Sequence, residues 1–175
     1  DGILVDVVAG KASAGLFEEA RILVETQIYT SAAKADGYLW LARGFIALGR
    51  FAEAEEVLSL AFDLVRTIVD SKGAAQLGSD ETKTLYAIAN NYRKSGNVSA
   101  TEEVFDYLAG IANQSESSTI YGRLGVVLRD LVDDLHADGD VNGALAFLGE
   151  LYSLAQQAPP NVSTRSAVTY QYYVC

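Results

Sequence analysis

The sequence predicts an all-α fold built from repeated helical hairpins, and three observations carry that expectation. Apolar residues recur at i, i+3, i+4 and i+7 along most of the chain, the spacing of a helix with one buried stripe. Turns centred on Gly15, Gly49, Gly96 and Gly139 interrupt those stripes. A shift of 34 positions carries Gly15, Phe17, Ala20, Val24 and Gln27 onto Gly49, Phe51, Ala54, Leu58 and Ala61. A pair of short helices cannot bury its stripe alone, and repetition lets each hairpin cover the next.

The clearest unit spans residues 35–68. Leu41, Ala42 and Phe45 share one face of its first helix, the turn falls at Gly49-Arg50, and Phe51, Ala54, Leu58 and Ala61 line the second. Small Ala42 and Ala54 let the two backbones approach. The preceding unit, 1–34, places Leu4, Val7 and Val8 before Gly15 and Phe17, Ala20, Val24 and Gln27 after it. A connection containing Ser71 to Asp80 leads to the third unit, 82–115, with Leu85, Ile88, Ala89 and Tyr92 before Gly96 and Val98, Thr101, Phe105 and Leu108 after it. Ser99 and Glu102 have capping-box spacing at the start of that second helix. A polar connection, Gln114 to Thr119, precedes the fourth unit, 125–158, whose stripe runs through Leu128, Leu131, Val132 and Leu135, then Val141, Ala144, Leu148 and Leu151. Pro159-Pro160 stops the last helix. The tail, 161–175, reads as the opening of one further helix. Helices of about 12–15 residues are expected, a length that needs tertiary packing to hold.

Composition narrows the function classes. The chain has 175 residues, half of them apolar, which suits one domain with its own core. A net charge of −10 argues against nucleic acid or an anionic membrane as the main partner. No apolar run approaches the roughly 18 residues needed to insert into a membrane. With Cys175 as the single cysteine, no internal disulfide forms. The chain opens at Asp1 without Met, which reads as a processed or excised form. Asn97, Asn113 and Asn161 begin N-x-S sequons, each expected at a turn, a connection or the tail, and tilt localisation towards a secreted product.

Reactive chemistry is sparse. Asp138, Asp140, Asn142 and Gly143 open a D-x-D-x-N-G calcium-loop pattern, with Leu145 at its apolar eighth place. Its twelfth place is Gly149 where a bidentate Glu is required, and Ala144, Leu148 and Leu151 indicate a helix already running, so Asp140 reads as a helix N-cap. His136 is the one histidine, which leaves no imidazole pair for a metal. No phosphate-binding glycine loop or nucleophile–base–acid set is present, and the pairs Glu18-Glu19, Glu55-Glu56 and Asp133-Asp134 fall on expected solvent faces. The expectation is a non-enzyme without cofactor or metal.

A 34-residue helix–turn–helix unit with small residues at its eighth and twentieth positions, and Gly at its fifteenth, resembles the tetratricopeptide repeat. Leu41, Ala42, Phe45, Gly49, Phe51, Ala54, Leu58 and Ala61 carry the likeness most fully, and it extends over about residues 1–157. Departures are Lys11 at a large-residue position, Val8 and Val132 at a smaller one, Thr101 for Ala, and no proline near the end of any unit. The resemblance implies a right-handed α-solenoid of four such hairpins plus a partial C-terminal helix, with a concave wall made by first helices and a role in protein–protein interaction or assembly. The family's inward positions map onto Leu39, Arg43 and Ile46, onto Lys83, Tyr86, Asn90, Arg93 and Lys94, and onto Arg129, Asp133 and His136. Five of these are Lys or Arg in an acidic chain, a basic strip suited to an acidic or C-terminal peptide. The alternative is an ordinary solvated face. The family's two-carboxylate clamp is not reproduced, since Val5, Ala9 and Trp40 take three of its polar positions.

The two ends suggest self-association. Ile3, Leu4 and Val7 make the first helix apolar on more than one face, whereas terminal repeats ordinarily present a polar one. Tyr170, Tyr172 and Tyr173 are available at the other end. Unlike sticky ends favour head-to-tail homo-oligomers, open filaments where the rotation does not close. The competing reading is that both are cut edges of a longer solenoid.

Overall fold

The computed structural model describes residues 1–73, 76, 78–115, 129 and 132–157, with the side chains of 112, 113, 115 and 150–157 outside that description. Among the described residues every long element is a helix, and no strand occurs. In chain order these are α1 (Gly2–Ser13), α2 (Phe17–Thr26), α3 (Ser31–Ala47), α4 (Phe51–Lys72), α5 (Ser79–Ser95), α6 (Val98–Ser115), α7 (132–137) and α8 (Val141–Gln157). The chain gathers into two compact units, one made of Asp1–Gly73 with Lys83–Asp106, the other of Ala74–Thr82 with Tyr107–Cys175.

Pairing of helices begins at the turns. A helix leaves its last carbonyls without partners, and a residue in the left-handed region lets the chain fold back onto them. Gly15, Gly49, Gly96 and Gly139 have φ of 78°, 70°, 84° and 79°, a conformation open to glycine at little cost. Each glycine N–H donates three residues back, to the carbonyls of Ala12, Ile46, Arg93 and His136. The next N–H reaches five residues back: Leu16 to Lys11 (2.9 Å), Arg50 to Phe45 (2.9 Å), Asn97 to Tyr92 (3.0 Å) and Asp140 to Leu135 (2.9 Å). The carbonyls of those same residues then start the following helix, accepting from Ala20, Ala54, Thr101 and Ala144 at 3.0–3.1 Å. One residue therefore ends one helix and begins the next, four times over.

This shared closure brings the same positions into the core. Val8, Ala42, Ala89 and Val132 on the first helices are buried, as are Ala20, Ala54, Thr101 and Ala144 on the second. In the third hairpin the Thr101 hydroxyl comes within 3.5 Å of the Ala89 carbonyl, so the two backbones nearly touch there. Thr101 satisfies its hydroxyl chiefly on the Asn97 carbonyl (2.8 Å), which is how a polar residue is accommodated where Ala would be simpler.

Docking of α3 on the first hairpin is closer still. A Cβ at Gly37 would lie 2.7 Å from a methyl of Val24, and one at Gly44 would lie 2.7 Å from the Phe17 ring and 3.0 Å from the Ala12 carbonyl oxygen. These glycines, seven residues apart, mark one face of α3. Beside them Phe45 stacks on Phe17 with centroids 4.2 Å apart, and the Arg50 guanidinium lies over both rings. Along the polar edge Arg21 bonds Glu25 on α2 and Glu56 on α4, each at 2.8 Å.

Several sequence expectations are corrected by these surroundings. Gln27 is exposed because α2 ends at Thr26, and Ile28 fills that part of the core instead. Val7 is 42% exposed, since α3 covers only the Val8 side of α1. Phe51, Val98 and Val141 are exposed rather than in the stripe: the first residue after each turn lies beyond the helix crossing, and Phe17 escapes this because Phe45 stacks on it. The cap of α6 is Asn97, whose Oδ1 accepts from the Ala100 N–H at 3.0 Å, so Ser99 already lies inside the helix. The second unit begins its first helix at Ser31, α4 continues to Lys72, and α6 continues to Ser115. Leu128, Leu131 and the tail lie outside the described residues.

Replacing Gly44 by Ala tests the close approach. The helix gains about 1 kcal/mol of propensity, but the new methyl meets a carbonyl that cannot move aside, and overpacking costs about 1–3 kcal/mol. Urea denaturation of Gly44→Ala is expected to show net destabilisation, whereas Gly110→Ala, where a Cβ meets nothing within 4 Å, is expected to stabilise.

Candidate interaction surfaces

Lys83, Tyr86, Asn90 and Arg93 follow one another at i, i+3, i+7 and i+10 on α5 and therefore share a face, with Lys94 at its margin. Lys83 and Lys94 are exposed; Tyr86, Asn90 and Arg93 are half-buried. Asn90 Oδ1 accepts from Arg93 Nε (3.2 Å) and Nη2 (3.1 Å), a two-point contact that fixes the guanidinium plane. The strip is thus an arginine bonded to Asn90 with an exposed ammonium group to either side of it along the helix.

The α3 candidates separate. Leu39 is 5% exposed and belongs to the core, which corrects its expected place on a groove. The cause is that α3 is packed on one side by α1 and α2 and on the other by α4, leaving Asp36, Trp40, Arg43 and Ala47 as its exposed strip. Arg43 lies over the Trp40 ring at 4.7 Å, and Ile46 is half-buried. Trp40 was legible as a departure from a family motif, yet its spacing of three from Arg43 was the signal for this cation–π pair. Arg129 is half-buried and helical, and Asp133 and His136 are exposed; all three belong to the second compact unit.

Of the expected contact residues at the start of the chain, Ile3 is 83% exposed and Val7 42%, and Leu4 is half-buried. Lys11 pairs with Glu19 across the first hairpin. Tyr170, Tyr172 and Tyr173 lie outside the described residues.

The sequons differ in setting. Asn97 is half-buried with both side-chain atoms engaged: Oδ1 caps α6, and Nδ2 donates to Glu55 Oε2 at 3.0 Å. Asn113 lies in the last turn of α6, not in a connection, because that helix extends to Ser115. Asn161 lies outside the described residues. At the calcium-like pattern, Asp140 Oδ1 accepts from the Gly143 N–H at 3.0 Å and α8 starts at Val141, so the segment is a capped helix. Among the described residues no group of His, Cys, Asp and Glu is placed to hold a metal, and no helix is long and apolar enough to cross a membrane.

Polar contacts also join hairpins two and three. The Tyr92 hydroxyl bonds Ser59, and Glu103 pairs with Arg66 at 3.7 Å. Burial, reinforced by Glu103, Glu55 and Asp63, pushes the Tyr92 phenol up to about 12. Elsewhere, hydrogen bonds from Arg50 hold the Glu53 carboxyl below its usual range, and bonds to Glu25 and Glu56 raise Arg21 further. No family model, curated protein or solved structure matches the chain, so its surfaces are read from its own residues.

Two measurements probe this meeting of hairpins. A phenol whose pKa is raised on folding contributes stability in full below its ordinary value near 10, and that contribution drains as pH rises through about 12. Tyr92→Phe is therefore expected to flatten the alkaline loss of stability between pH 10 and 12. Asn97→Ala is expected to cost about 1–2 kcal/mol in denaturant titration through the lost cap. Asn97→Asp keeps a capping oxygen but sets a second carboxylate against Glu55, so its penalty should grow as pH rises through the carboxylate range.

Proposed function

We propose that the chain is a right-handed solenoid of tetratricopeptide-type hairpins, with a partial C-terminal helix, serving as a non-enzymatic module for protein–protein interaction and assembly. The observation that carries this reading is the fourfold use of one closure, a left-handed glycine with the same set of backbone bonds, followed by buried small residues at equivalent positions. A repeated unit of that kind spends its sequence on stacking and leaves its exposed strips to recognise other chains. Assembly through its own copies is the first form of that role.

A second form is favoured by the α5 strip, where Lys83, Arg93 and Lys94 stand together in a protein of net charge −10. Under it the strip receives an acidic peptide, or one ending in a free carboxylate, along the face that Lys83 and Arg93 share with Lys94 at its margin. Titration with labelled acidic peptides followed by fluorescence anisotropy tests this form. Binding should weaken with salt and fall by about tenfold or more in Lys83→Glu/Lys94→Glu, where two attractions become repulsions. Affinity unchanged by that double reversal removes the adaptor form, and a chain that binds neither peptides nor its own copies removes the module reading altogether.

A further inference from the structure

The interface between the first two hairpins defines two complementary faces. The docking face belongs to α3 and consists of Gly37, Leu41, Gly44 and Phe45; the first hairpin receives it with Val24, Ile28, Phe17 and the Ala12 carbonyl. Each face has a counterpart at an outer hairpin. Shifted by 34 positions, the docking face falls on Ile3, Val7, Gly10 and Lys11 of α1. In the last hairpin, the counterparts of Phe17, Arg21 and Val24 are Val141, Leu145 and Leu148 of α8.

The Leu145 position is informative. Its counterparts in the first two hairpins touch the following hairpin: Arg21 bonds Glu56, and Glu55 accepts from Asn97. In α8 that position is a leucine, 61% exposed, next to Val141 at 55%. On α1, Ile3 and Val7 are likewise exposed, and Gly10 has open space around it where Gly44 is tightly enclosed. Both faces are rich in exposed apolar side chains, and they repeat the two halves of the interface between the first and second hairpins.

We infer that the chain associates head to tail, with α1 of one copy docking on α8 of a second copy through Ile3 and Val7 against Val141, Leu145 and Leu148. This rests on reading the chain as stacked hairpins and replaces the tyrosine-rich tail by α8 as the receiving face. Charge agrees with the pairing. Where Phe45 stacks on Phe17 inside the chain, the equivalent meeting between copies sets Lys11, already paired with Glu19 on its own chain, beside Val141, with the exposed Asp138 and Asp140 at the adjoining turn. The cation thus arrives at an acidic turn, and the interface gains a salt-sensitive edge around an apolar centre.

Light scattering of the full chain across a wide concentration series, with two single variants, tests the inference. Wild type should gain mass with concentration, while Val7→Glu and Leu145→Glu should each stay at monomer mass with helical circular dichroism intact, because both side chains are exposed. Mixing the two variants should restore one interface and stop at twice the monomer mass, since one retains the α8 face and the other the α1 face. A wild type that stays monomeric, assembly indifferent to both variants, or a mixture of monomeric variants that stays monomeric overturns head-to-tail docking. A monomer that still binds acidic peptides sinks this inference alone and leaves the interaction module standing.

Discussion

Helix ends are costly unless their carbonyls find donors, and at all four glycine turns this chain meets that cost with the same two backbone bonds. The constraint governs more than the turns. Because the residue that closes one helix also opens the next, the number of residues between the last turn of the first helix and the first turn of the second is fixed. Buried positions therefore recur at the same places in the four hairpins, at Val8 and Ala20, Ala42 and Ala54, Ala89 and Thr101, Val132 and Ala144. Sequence variation elsewhere is tolerated so long as those positions admit close backbones.

Once the hairpins are set, their junctions diverge in chemistry. The first and second meet over glycine faces and stacked aromatic rings, where loss of contact exposes apolar surface. The second and third meet through Asn97 on Glu55, Tyr92 on Ser59 and Glu103 on Arg66, polar contacts set around the buried Tyr92 ring.

Much of this was legible in the residues, and for identifiable reasons. Left-handed turns demand glycine, so Gly15, Gly49, Gly96 and Gly139 announced themselves, and the small residues at the crossings followed from helical spacing. Periodicity states which side chains share a face, but not which neighbour covers that face. Hence Leu39, read as lining a groove, is in the core between two layers, while Phe51 and Val98 lie beyond the crossing. The role of Gly37 and Gly44 was hidden for the same reason, since a helical glycine signals close approach only once its neighbour is known. Asn97 was missed as a cap because a two-residue error in the start of α6 transfers the assignment to Ser99.

The 22-residue α4 is about 33 Å long, and buried residues run along it from Ala54 to Val69. It touches α2 through Glu56, α3 along the hairpin, α5 through Ser59 and α6 through Arg66. A single-residue insertion in its middle would rotate everything after it by about 100° and misalign the later partners relative to the earlier ones. Natural length variation should consequently avoid α4 and accumulate just past Gly73, whose φ of 82° ends the helix and releases the chain from its register.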